Sequence, residues 1–240
     1  STQAKTLFPY TTLFRSSDQW GNLTSGTDLI RKVEGKSVHI LATPLITNSD
    51  GQKFGKSEGN AVWLDSEFTS PYGFYQFWLN VDDADVIDRL KVFTFLTKAE
   101  IEDLAKQTAE APHLRAAQKR LALEVTSLVH SAEAAQAAID ASAALFGQGD
   151  LATLDVETLQ AALGELPNTI APLGTPITQL LIDTGLVDSI SAGRRAIKEG
   201  GVYVNNEKII DEAAVLTELL HSKFAVLRRG KKTLAGVFSA

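Results

Sequence analysis

The sequence contains no cysteine and no methionine. The first absence excludes disulfides and thiolate metal sites and fits a reducing compartment. The second has a simpler meaning. A complete translation product opens on methionine, whereas this chain opens Ser1-Thr2-Gln3, so it reads as processed or as a fragment. No apolar run reaches the roughly 18 residues of a membrane-spanning helix. The first residues also lack the continuous apolar stretch of a secretory signal. A cytoplasmic protein without a membrane partner is the expectation. Positive charge is scarce too: 23 Lys and Arg stand against 29 Asp and Glu, a net charge of −6. That excludes a chain basic over its whole surface, but the scarcity is uneven. Ser191–Ala240 carry nine Lys and Arg against five acids, a net of +4, and the rest of the chain is left at −10. A basic module on an acidic body points to a local polyanion-binding patch.

What is present supports a packed protein. Hydrophobic residues make up 44% of 240, enough to bury a sizeable core in two or three domains. The most informative stretch is Asp50-Gly51-Gln52-Lys53-Phe54-Gly55-Lys56-Ser57. Its glycines disfavour helix and strand, so it reads as a loop. Gly55 lets the backbone approach a ligand closely. Lys53, Lys56 and the Ser57 hydroxyl could gather around a polyphosphate. Standing alone, the same lysine pair reads first as an ordinary solvated cluster. Upstream, Ser17-Asp18-Gln19-Trp20-Gly21-Asn22 opens an amphipathic run to Lys32. Asp18 offers a carboxylate acceptor and Gln19 an amide that both donates and accepts, groups suited to ribose hydroxyls and a small polar ligand. The structural alternative for Asp18 is a helix N-cap.

With Trp63-Leu64-Asp65 and Thr69-Ser70-Pro71-Tyr72-Gly73-Phe74-Tyr75-Gln76-Phe77-Trp78, these motifs resemble the bacterial tyrosyl-tRNA synthetases, class I aminoacyl-tRNA synthetases. The resemblance runs from Ser17 to the end of the chain. It implies a tyrosine–tRNA ligase whose substrates are tyrosine, ATP with Mg2+ carried by the nucleotide, and tRNA-Tyr, and which is a homodimer when intact. By the resemblance Lys53, Lys56 and Ser57 stabilise charge moving onto pyrophosphate, Asp18 binds the ribose, and Gln19 contacts the tyrosyl carboxyl group. No protein metal site is implied; His113 and His130 lack a third ligand nearby. The first half of the catalytic domain, with its His-x-Gly-His-type motif, is missing, so the isolated chain is expected to be inactive. A non-catalytic RNA-binding protein is the competing reading. A tryptophan-specific relative is disfavoured because that sister family generally lacks the C-terminal module. A helical scaffold would show no salt-dependent tRNA binding.

The expected fold is α/β, a partial Rossmann-like nucleotide-binding domain, followed by an all-α helical domain and a small α+β αL RNA-binding domain. Residues 1–16 are read as a non-native or disordered leader, because Leu7 to Ser16 looks like a translated sequencing-library adapter joined to a truncated frame. Residues 17–66 then hold a helix at about 18–33, a buried parallel strand at about 37–43 with His39 at its edge, the lysine loop, and a short strand at about 61–64. Residues 67–147 read as the helical domain that contacts the anticodon arm, with Arg115, Lys119 and Arg120 as candidate phosphate contacts. Within it Ser70-Pro71 and Thr97-Glu100 are caps, Pro112 opens a long helix, and Gly147 stops an alanine-rich one. Residues 148–174 read as a linker with one short helix at about 155–163.

Residues 175–240 open with a helix capped at Thr175-Pro176, followed by a helix from Ala192 capped by Ser191. A turn at Asn205-Asn206 and a last hairpin turning at 228–232 complete the module. The run Gly193-Arg194-Arg195-Ala196-Ile197-Lys198, then Gly200-Gly201-Val202-Tyr203-Val204-Asn205, is similar to the αL domain. Arg194, Arg195 and Lys198 project from adjoining helix faces. With Arg228, Arg229, Lys231 and Lys232 they are the candidate RNA contacts, suited to phosphates more than to bases.

Overall fold

The computed structural model describes residues 12–49, 51, 54, 62–230 and 233–240. The chain divides into two compact units, residues 1–61 and 62–240. In the first, β1 (Thr12–Ser16), α1 (Trp20–Glu34) and β2 (His39–Thr43) form a β-α-β unit with its two strands parallel. Gly35 ends α1 at φ 64, its N–H donating to the Arg31 carbonyl, and Arg31 and Lys32 suit the helix's negative end. A Cβ on Gly26 would meet Leu13 Cδ1 at 3.4 Å, so helix and strand lie close. The last five residues of the supposed leader form strand β1, paired parallel with β2, and so are ordered; Thr-Leu-Phe-Arg-Ser suits a strand. One expectation is corrected. β2 alternates exposed and half-buried positions and is not buried throughout, since among the described residues the sheet has two strands. The lysine loop, with Lys53, Gly55, Lys56 and Ser57, lies outside the described residues.

The second unit begins with a loop, where a short strand was expected. Residues 62–64 are irregular; the Trp63 N–H donates to Thr69 Oγ1 at 2.9 Å, so the backbone bonds within the loop rather than to a ladder. Helices α2 (Pro71–Leu79), α3 (Asp83–Phe93), α4 (Lys98–Glu110), α5 (Ala116–Val129) and α6 (Ala132–Leu145) follow. Their starts are written in the sequence. Ser70 Oγ accepts the Gly73 N–H ahead of Pro71, and Thr97 and Glu100 complete a reciprocal capping box. α5 lies at the centre against α2, α3, α4 and α6. Ala117, Leu121 and Val125 on it are buried, as are Phe74, Tyr75 and Trp78 of the aromatic run. The long helix expected from Pro112 is instead a 3-10 turn, Pro112–Leu114, and a separate α5. Arg115 breaks it at φ 52, with its guanidinium Nη2 donating to the Leu79 carbonyl at 2.5 Å.

The expected linker is largely structured. It supplies α7 (Val156–Gly164), capped by Asp155, and β3 (Asn168–Ala171). Leu159, Ala162 and Leu163 of α7 are fully buried, which is why this stretch packs instead of linking. After α8 (Ile177–Asp183) comes α9 (Ile190–Lys198). Its cap is Ser189, not Ser191: Ser189 has extended backbone and accepts the Ala192 N–H at 3.2 Å. Strands β4 (Val202–Val204), β5 (Glu207–Lys208), β6 (Phe224–Arg229) and β7 (Thr233–Ser239) complete a five-stranded sheet ordered β3-β7-β6-β4-β5. β3 runs parallel to β7, and the remaining pairs are antiparallel. α8, α9 and the inner strands share one core that includes Ile177, Leu180, Leu181, Ile197, Val202, Leu227 and Val237.

Candidate functional site

In the first unit the parallel register ends at Ser16↔Thr43, so both strands reach their carboxyl ends together. That end of a parallel sheet, where the loops leave, is where α/β folds place ligands. Leaving β1, Ser17–Gln19 form one 3-10 turn that delivers Asp18 and Gln19 to the start of α1. Asp18 is exposed, and its carboxylate accepts from the Ser16 hydroxyl. Gln19 Oε1 accepts from Asn22 Nδ2 at 2.6 Å, which fixes the direction of the amide. The N-cap position of α1 is held by Gln19, and Asp18 stands one residue ahead of it in the 3-10 turn. Leaving β2, the chain reaches the base of the lysine loop, where the Phe54 N–H donates to the Ile46 carbonyl at 3.1 Å and Gly51 to Asn48 at 2.9 Å. Gly51 takes φ 82, a conformation that favours glycine. Asp18, Gln19 and the loop's base therefore belong to one end of one sheet.

The second set of candidates lies on α9 and the β6–β7 hairpin. α9 buries Gly193, Ala196 and Ile197 and exposes Arg194, Arg195 and Lys198. Gly193 sits against α8, where a Cβ would stand 3.5 Å from Thr178. The three cations have no ion pair or hydrogen bond among the described residues, so their charge faces solvent. Arg228 and Arg229 are placed differently. Arg228 lies directly across the ladder from Tyr203, its guanidinium carbon 3.9 Å from the ring centroid, and Nη1 donates to the Gly230 carbonyl at 3.2 Å. Arg229 Nη1 donates to the Leu186 carbonyl at 2.5 Å. Both are held by the fold. Lys231 and Lys232 lie outside the described residues.

Of the cations on the helical part, Arg115 holds Leu79 and Arg120 pairs with Glu124 at 2.7 Å and Glu100 at 3.3 Å. Lys119 is exposed beside a groove of about 600 Å³ between α2, α5 and α6. Among the described residues no group of three or more His, Asp or Glu side chains is placed to hold a metal ion. No helix among them is long and apolar enough to cross a membrane.

Comparison with known families decides how these parts belong together. The profile for class I tRNA synthetases (W and Y) matches residues 16–147, more than half of the chain. The chain belongs to that family. A second profile, for the tyrosine–tRNA ligase SYY-like C-terminal domain, matches residues 158–236. That match takes in most of α7 and all of β3, in keeping with their packing.

Three relatives are named tyrosine–tRNA ligases. That of Leifsonia xyli subsp. xyli is 64% identical over 224 residues, covering 92% of this chain and 51% of the relative. Those of Kineococcus radiotolerans and Streptomyces coelicolor are each 56% identical, covering 92% of this chain and 53% of the relative. The synthetase chain thus spans about half the length of the curated relatives it matches. One further cation joins the basic face. Lys208 pairs with Tyr203 across the β4–β5 turn, and its Nζ lies 2.5 Å from where a Cβ on Gly200 would stand, at the end of α9. The signal available in the sequence was the Asn205-Asn206 turn, which sets that cross-strand pairing.

Proposed function

We propose that this chain is part of a tyrosine–tRNA ligase, which joins tyrosine to ATP and then esterifies tRNA-Tyr. In this reading residues 17–66 are the closing part of a Rossmann-like nucleotide-binding domain, 67–147 meet the anticodon arm, and the sheet module is an αL-type RNA-binding domain. The observation that carries it is that Asp18 and Gln19 at the start of α1 and the base of the lysine loop after β2 fall in one compact unit, within the stretch that the class I profile matches. Asp18 would accept from ribose hydroxyls, and Gln19, oriented by Asn22, would bond the tyrosyl carboxyl group. As ATP reacts, negative charge moves toward pyrophosphate. Lys53 and Lys56 on a closing loop would stabilise that charge more than the ground state, with Ser57 donating a hydrogen bond. One close charge pair at an effective dielectric near 20 contributes about 4 kcal/mol, on the order of a thousandfold in rate. Mg2+ would enter on the nucleotide. Arg194, Arg195, Lys198 and Lys208 would meet tRNA phosphates, and the intact enzyme would act as a homodimer.

The sequence contains no His-x-Gly-His motif to hold ATP phosphates, so the chain alone is expected to show no pyrophosphate exchange above blank. The test supplies the complement: the N-terminal half of the Leifsonia xyli relative joined ahead of Ser17. The chimera should charge tRNA-Tyr with tyrosine, and Lys53→Ala or Lys56→Ala should slow ATP–pyrophosphate exchange by about a thousandfold. A folded chimera that binds tRNA yet never activates tyrosine would sink the ligase reading and favour RNA binding without catalysis.

A further inference from the structure

The groove of about 600 Å³ in the helical body has no part in the ligase chemistry. One face of each of three helices lines it. Tyr75 and Leu79 stand one turn apart on α2, Lys119 and Leu123 on α5, and Ile139 and Ala143 on α6. Its volume falls within the roughly 300–1,000 Å³ in which proteins hold small molecules. Leu79, Leu123 and Ile139 make the walls aliphatic, and Phe146 stands 45% exposed where α6 ends.

Two donors in this groove have nothing to bond. Tyr75 is 4% exposed, yet its hydroxyl has no hydrogen-bond partner among the described residues. The oxygen is not among the polar atoms sealed from solvent, so it opens on the groove. Burial holds this phenol above its ordinary value of 10, which keeps its proton in place at neutral pH. Lys119 is exposed, and its ammonium makes no ion pair among the described residues. The other polar groups are already engaged. Gln76 Nε2 donates to Ser142 Oγ at 2.5 Å, the Tyr72 hydroxyl bonds the same oxygen, and Arg120 pairs with Glu124 and Glu100. No acid stands among the described residues that line the groove.

We propose that this groove binds a small amphipathic acid, its apolar body against Leu79, Leu123 and Ile139 and its carboxylate at Tyr75 and Lys119. Both open groups are donors, one of them charged, so the head group they match is an anion. A carboxylate has two oxygens, one for the phenol O–H and one for the ammonium. An RNA base suits the groove less well, because bases bind by stacking on flat aromatic faces and these walls are aliphatic. The site belongs to α2, α5 and α6 and does not rest on the ligase reading.

The test titrates the isotope-labelled full chain with 2-naphthoate and follows its amide resonances. Saturable shifts should gather on α2, α5 and α6 around the groove, and 2-naphthylmethylammonium, the same ring with a positive head, should leave them unmoved. Lys119→Glu should weaken naphthoate binding about tenfold, while Lys106→Glu, an equal charge change on exposed α4, should leave it unchanged. Tyr75→Phe, which keeps the ring, should weaken binding about fivefold. If that variant does not fold, the Tyr75 Cζ resonance of the wild type reports instead and should shift as naphthoate saturates. Equal binding of the cation, equal loss in the two lysine variants, or shifts centred on exposed Phe95 or Ile210 would overturn the proposal. So would a Tyr75 ring that does not respond, or no saturation at millimolar naphthoate. An anticodon-stem hairpin of tRNA-Tyr that displaces the bound naphthoate would assign the groove to RNA and overturn it too. A hairpin that leaves naphthoate in place would support the small-acid site.

Discussion

From residue 12 to 49 one described side chain, Leu23, is buried, and Trp20, Leu29, Val33 and Leu41 remain more than half exposed. From residue 62 onward, α2, α5, α6, α8 and β6 each bury several side chains. The first region holds the strongest chemical motifs and the second holds the core. Residues that must meet a ligand stay near solvent, whereas stability follows apolar area removed from water, at about 25 cal/mol per Å². The contrast has a measurable edge. Leu121→Ala in α5 should cost about 2–5 kcal/mol in urea unfolding, since the site cannot collapse around the lost atoms. Leu29→Ala in α1, 62% exposed, should stay within about 0.5 kcal/mol. Equal costs would mean that the first region contributes a core that its exposure denies.

Two helical glycines sharpen the same contrast at smaller scale. A Cβ on Gly21 of α1 would meet nothing within 4 Å, while one on Gly73 of α2 would lie 2.9 Å from Glu165 Oε1. Alanine in a helix is favoured over glycine by roughly 0.5–1 kcal/mol. Gly21→Ala should show that gain. At Gly73 the Glu165 carboxylate must leave the N-terminus of α2, losing about 0.3–1 kcal/mol of helix-dipole stabilisation, so the net change should be near zero. In a Glu165→Ala background, Gly73→Ala should recover the full gain. A cycle with no coupling between the two positions would show that the carboxylate does nothing there.

Much of this was readable in the letters. The Ser70-Pro71 cap, the Thr97-Glu100 box, the Gly147 stop and the Asn205-Asn206 turn are local devices, and each stands where its chemistry put it. What the letters hid was non-local. β3 looked like linker because Asn168–Ala171 is short and follows Pro167, and only its pairing with β7 makes it a strand. Arg115 looked like a helical cation, yet its bond to Leu79 draws it into the fold and breaks the helix. Arg228 and Arg229 read as free charge because nothing local marks Tyr203 or the Leu186 carbonyl as their partners. Asp18 and Gln19 were identifiable as a pair, but their shared sheet end with the loop's base required the register of β1 and β2.

The smallest effect expected is in pH dependence, and it too separates the regions. In the helical body, His130 sits edge-on to Phe74 with ring centroids 4.9 Å apart and its Nε2 buried. Burial holds the imidazole below its ordinary value of 6.5. The unfolded chain then binds the proton more readily than the folded one, so stability is full above about 6.5 and falls as pH drops below it. In α1, hydrogen bonds from Lys32 and Arg31 hold the Asp28 carboxyl below its ordinary 3.8. Its contribution is present above that value and is lost only as pH falls further, through the folded-state value. Between pH 7.5 and 5.5 only the His130 effect operates of these two. Urea unfolding across that interval should therefore show the helical body weakening toward acid. His130→Phe, which keeps a ring against Phe74 and removes the titrating nitrogen, should flatten the dependence. An unchanged slope in that variant would place the proton uptake on another group and remove His130 from the account.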